Sequence, residues 1–109
     1  MIRNGHKYNA QRTKIDGISF ASKAEAARYS ELLMLAKAGQ VRGLVLQPKY
    51  PLHVKDWKIG SYIADFAYID ASGKQVIEDV KGFKTDIYKW KKKHAEAEHG
   101  ITITEIGGR

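Results

Sequence analysis

A chain of 109 residues, 43% hydrophobic and 28% charged, has the composition of one globular domain with a single core. It contains no cysteine, which excludes disulfides, thiolate nucleophiles and zinc–thiolate sites. Nineteen Lys and Arg against twelve Asp and Glu leave a formal net charge of +7, a balance suited to a polyanion such as nucleic acid.

No apolar run approaches membrane-spanning length and no apolar leader opens the chain, so a cytoplasmic protein without membrane contact is expected. Met1 to Arg12 is polar and basic with an Asn4-Gly5 turn signal, and reads as a flexible arm before one domain at 13–109. Asp16-Gly17 between Ile15 and Ile18 predicts a two-residue hairpin over Thr13 to Phe20. Ser22-Lys23-Ala24-Glu25 matches a capping box, and Ala, Glu and Leu carry a helix to Ala38, where Gly39 stops it. Ala24, Ala27, Leu32 and Leu35 are expected inward. Glu25 also shares a face with Tyr29, Leu32 and Ala36, so it borders the packed side.

Leu44 to Val54 has strand residues, but Pro48 and Pro51 make it an edge or interrupted strand. Ser61 to Ile69 alternates, with Ile63, Asp65, Ala67 and Ile69 on one face and Tyr62, Ala64, Phe66 and Tyr68 on the other. Asp70-Ala71-Ser72-Gly73 turns the chain into a strand over Lys74 to Lys81. Thr85 to Glu98 returns to helical spacing with Ile87, Trp90, His94 and Ala97 inward, and Ile101 to Ile106 follows Gly100 as a last strand. The order is hairpin, α, β, β, β, α, β, a mixed α/β domain around one small sheet.

Val76-Ile77-Glu78-Asp79-Val80-Lys81-Gly82 sets three charges in an otherwise apolar strand, where such residues are depleted. Alternation puts Ile77, Asp79 and Lys81 on one face and Val76, Glu78 and Val80 on the other. If the strands pair, Asp65 lies beside Asp79. Singly, each acid has a bland explanation: a solvated strand end, an ion pair with Lys81, or, for Glu25, the capping box itself. Together, converging carboxylates repel unless a cation resolves the conflict, and hard oxygen ligands without cysteine point to Mg2+ or Mn2+. Such an ion assists phosphodiester hydrolysis, with Lys81 placed to position water or stabilise charge.

The set Tyr62-Ile63-Ala64-Asp65-Phe66, Asp79-Val80-Lys81 and the helix acid Glu25 resembles the PD-(D/E)XK nuclease superfamily. Within it, Gly17 to Glu25, Gln47-Pro48 and Glu78 to Gly82 echo a small phage-associated family of unknown function. The resemblance implies a restriction-endonuclease-like core and a phage- or prophage-encoded, Mg2+-dependent DNA endonuclease. It assigns the metal to Glu25, Asp65, Asp79 and the Val80 carbonyl, with Mn2+ able to substitute, and makes Lys81 the assisting cation. Ala64 departs from the proline of the pattern. A bulge in the strand would exchange Glu78 for Asp79.

Lys84, Lys89, Lys92 and Lys93 surround the second helix and are expected at the phosphate backbone, although lysines on a helix are usually just its solvated side. Trp90 is expected in the core. Trp57 sits in a predicted turn, either exposed for stacking on a base or packed on a strand. The histidines lack metal-ligand spacing, and no phosphate-binding glycine loop exists. The readings that follow are a DNA endonuclease, with branched or junction DNA as its substrate by analogy alone, a non-catalytic nucleic-acid-binding module, and a nuclease subunit needing a partner protein for target choice. A homodimer suits cutting of both strands.

Overall fold

The computed structural model describes residues 12–107. The arm expected over Met1 to Arg12 therefore lies outside the described residues except for Arg12, whose Nε donates to Ser19 Oγ at 3.2 Å.

The expected hairpin forms from β1 (Thr13–Ile15) and β2 (Ile18–Phe20). Asp16 and Gly17 both take positive φ, 53° and 78°, as a two-residue turn between twisted strands requires. Helix α1 (Lys23–Lys37) starts at Ser22, whose hydroxyl accepts the Glu25 N–H at 3.1 Å. Glu25 Oε1 reaches back to the Ala21 N–H at 3.3 Å, one residue before the usual capping-box partner. Gly39 closes the helix in a left-handed conformation, and the Gln40 N–H returns to the Leu35 carbonyl at 2.8 Å. The buried stripe is Ala26, Tyr29 and Leu32; Ala24, Ala27 and Leu35, expected inward, are exposed.

A four-stranded sheet has the order β3–β6–β7–β8, built from β3 (Val41–Leu46), β6 (Phe66–Asp70), β7 (Gln75–Lys81) and β8 (Ile103–Gly107). Its first three strands are antiparallel; β8 is parallel to β7, with α2 (Asp86–His99) as the crossover. Between β3 and β6 the chain makes an additional ribbon, β4 (Lys49–Val54) paired with β5 (Trp57–Ile63). Five strands thus separate the helices, not three. Among the described residues no helix is long and apolar enough to cross a membrane.

The ribbon corrects two expected strands. Leu44 to Val54 divides into β3 and β4 at Gln47-Pro48, and Ser61 to Ile69 divides into β5 and β6 at Ala64-Asp65. The two breaks face each other: the Gln47 N–H donates to the Asp65 carbonyl at 2.9 Å and the Ala64 N–H to the Pro48 carbonyl at 3.0 Å. A paired ribbon therefore bends away from the sheet at one corner. Alternation slips there: Tyr62 and Ala64 join the core beneath α2, whereas Phe66 and Tyr68 join the core beneath α1.

Each sheet face has its own core. Phe20, Tyr29, Leu32, Phe66 and Val80 pack with α1, while Leu52, Tyr62, Ile77, Ala95 and Ile103 pack with α2 and the ribbon. The phase of α2 differs from expectation. Tyr88 and Ala95 are buried, while Ile87 and Trp90 are 66% and 78% exposed and Ala97 is also exposed. The stripe Tyr88, Lys92, Ala95, His99 has the same helical spacing as the expected one. It is selected by contacts: Tyr88 Oη donates to Glu105 at 2.8 Å, and His99 Nε2 donates to the Pro51 carbonyl at 2.7 Å. His94, expected inward, is half-buried and donates to the His53 carbonyl at 2.9 Å.

Candidate active site

Asp79 is built by strand alternation and a parallel neighbour. It lies on the α2 face of β7 and is only 1% exposed. Tyr62 Oη donates to its Oδ2, and Lys81 Nζ stands 3.1 Å from Oδ1. The Lys81 ammonium also lies 4.5 Å from the centre of the Tyr88 ring, a cation–π distance. A cleft of about 300 Å3 opens onto this group, with Tyr62, Asp79, Lys81, Tyr88 and Lys91 in its walls. Desolvation holds the Tyr62 and Tyr88 phenols above their ordinary range, strengthened by the carboxylates they face. Both stay protonated as donors.

Asp65 occupies the corner where the ribbon leaves the sheet. Its backbone N–H bonds the Glu78 carbonyl at 3.0 Å, and its Oδ2 accepts the Val80 N–H at 2.7 Å. Burial pushes its carboxyl up to about 7; the Val80 N–H opposes that rise, while the charges of Glu25 and Asp79 reinforce it. Asp65 is thus electrostatically linked to both other predicted acids. Glu25 contributes from the first turn of α1, half-buried.

Glu78 is equally buried, 1% exposed, but faces α1. Arg28 grips it with a fork, Nε to Oε1 at 2.8 Å and Nη2 to Oε2 at 2.6 Å, and Tyr68 Oη donates at 2.5 Å. Its partners leave it no role in the cleft. The regular register of β7 contains no bulge that would exchange the two acids.

Among the described residues no three His, Cys, Asp or Glu side chains stand together as a group that could hold a metal. Mg2+, however, commonly binds through one or two carboxylates and keeps several waters. Asp65 and Asp79 supply hard oxygens, and the Asp65 carboxyl is raised chiefly by burial, with the charges of Glu25 and Asp79 adding to it. The donor chemistry fits such an ion, provided Lys81 releases Asp79 Oδ1.

Of the lysines expected on phosphate, Lys84 pairs with Glu105 at 3.0 Å and Lys92 with Glu96 at 3.2 Å. Lys89 and Lys93 are exposed and have no acidic partner among the described residues. Glu105 went unnoticed in the sequence. It is the register partner of Asp79 on β8, and Lys84 and Tyr88 hold its carboxyl below the usual range. A parallel pairing of the last strand with β7 was the signal that would have found it. Trp57, at the ribbon tip, is 78% exposed.

Residues 5–103 match a family model described as a protein of unknown function (DUF1064). Compared with curated proteins and with solved structures, the chain has no match.

Proposed function

For a chain that belongs to the DUF1064 family of proteins of unknown function, we propose a Mg2+-dependent endodeoxyribonuclease of PD-(D/E)XK type. One observation carries the reading: Asp65, pressed to about 7 by burial and by Glu25 and Asp79, sits beside an Asp79–Lys81 pair at an open cleft. A structural ion pair needs no second acid forced up beside it.

Asp65 and Asp79 would hold the ion, with Glu25 and the Val80 carbonyl completing the oxygen set. When bound, the ion supplies a Lewis acid to a phosphodiester oxygen and neutralises the carboxylates. Tyr62 fixes the Asp79 carboxylate through its hydroxyl. Lys81, paired with Asp79 in the metal-free site, would turn its ammonium to the phosphate and stabilise charge gained in the transition state. Lys89 and Lys93 steer the DNA backbone.

The test is plasmid DNA incubated with Mg2+ and then with EDTA. Asp79→Ala and Lys81→Ala should each abolish nicking while DNA binding survives. Full activity in either variant sinks the assignment. A second reading, a nucleic-acid-binding module with structural carboxylates, is favoured by the Lys81–Asp79 ion pair and by the lack of a three-side-chain metal group among the described residues. It requires no cutting in either condition.

A further inference from the structure

Most proteins cover large apolar side chains, yet here Val54, Ile59, Ile87 and Trp90 are 54%, 58%, 66% and 78% exposed. They wall a groove of about 510 Å3 between the ribbon and α2, a volume in the range of ligand sites. Ile87 and Lys91 line both this groove and the cleft over Asp79 and Lys81, so the two are continuous. Lys91 stands in its wall, and across Trp90 a neighbouring hollow is lined by Lys89, Lys92 and Lys93 together with Asp86 and Glu105.

We propose that this groove takes unpaired nucleotides of the DNA, their bases stacked on Trp90 and their phosphates on the surrounding lysines, beside the strand being cut. The proposal rests on the nuclease reading for its partner and narrows it to DNA with single-stranded character. Charge selects the occupant. A second copy docked with this groove on a two-fold axis would bring Lys91 of its wall against its own counterpart, whereas a phosphodiester strand complements that lysine. Geometry selects unpaired bases. A duplex hides its base faces in the stack and shows phosphates outward, so it has nothing apolar to bury here. An open strand offers flat faces that any aromatic ring accepts without regard to sequence.

The intact chain, with EDTA present to prevent cutting, is titrated with labelled oligodeoxythymidylate and with a blunt duplex of equal length. Single strand should bind more tightly and quench tryptophan emission. Trp90→Ala should weaken single-strand binding about tenfold with little change for duplex, and Trp90→Phe should restore most of it. The exposure of Trp90 spares the fold in both variants. Equal loss on both ligands, or no loss, overturns the proposal. So does a dimer, seen by sedimentation, that Trp90→Ala dissolves, since a second copy would then fill the groove. Cleavage with Mg2+ is scored separately. An uncut strand that binds through Trp90 supports the groove while refuting hydrolysis; a cut duplex with no single-strand preference does the reverse.

Discussion

At Asp65, burial and the nearby charges of Glu25 and Asp79 keep a proton on the folded carboxyl up to about pH 7. The unfolded group, with an ordinary value of 3.8, has already lost it. Between those values the folded state binds more protons, so this group's contribution to stability falls as pH rises through the window. Asp65→Asn keeps an oxygen for the Val80 N–H and removes the charge. We expect it to raise the metal-free melting temperature at pH 8 by roughly 4–8 °C. It should also lose the stabilisation that Mg2+ gives the wild type by binding the native state. Calorimetry with and without Mg2+ checks both; an Asn variant still stabilised by Mg2+ would remove Asp65 from the metal site. Because Mg2+ would have to displace the Asp65 proton, Mg2+ affinity should rise with pH through about 7, seen as a growing Mg2+-induced rise in melting temperature.

Between elements, α1 docks on the sheet partly through a charge. Arg28 is the cation that satisfies the Glu78 carboxylate, so Arg28→Ala should cost about 3–5 kcal/mol in denaturant unfolding. Adding Glu78→Gln, which removes the stranded charge, should recover much of that loss; no recovery would mean that Arg28 acts through packing alone. The elements most legible in the sequence were those with local codes. Asp16-Gly17 wrote its own turn, Ser22 its cap, and Gly39 and Gly100 their helix ends. Alternation along β7 correctly separated Asp79 from Glu78, because a strand buried on both faces allows one register. The β4–β5 ribbon was illegible, since its corner depends on two breaks bonding across the chain. With the ribbon missed, nothing could choose between two α2 stripes of equal period. Trp90 was assigned inward for that reason. The Arg28–Glu78 pair was hidden likewise, being a contact between elements distant in sequence.

Across the whole molecule, a net charge of +7 overstates what is available to a polyanion. Glu105 and Glu96 already engage Lys84 and Lys92, while Lys89 and Lys93 point to solvent without such partners among the described residues. We expect Lys89→Ala with Lys93→Ala to reduce the slope of log affinity against log salt by about two. Lys84→Ala with Lys92→Ala should change it less, because each removal also frees an acid. Equal slopes for the two double variants would refute that division of labour. The back-to-back acids of β7 carry a last implication. Pulling the strand back by one place would set Asp79 toward Arg28 but push Glu78 into the buried place of Ile77 and drive Lys81 into that of Val80 under α1. Misalignment is thus rejected by charge as well as by shape, so a one-residue deletion in the turn before β7 should be harsher than any point change there.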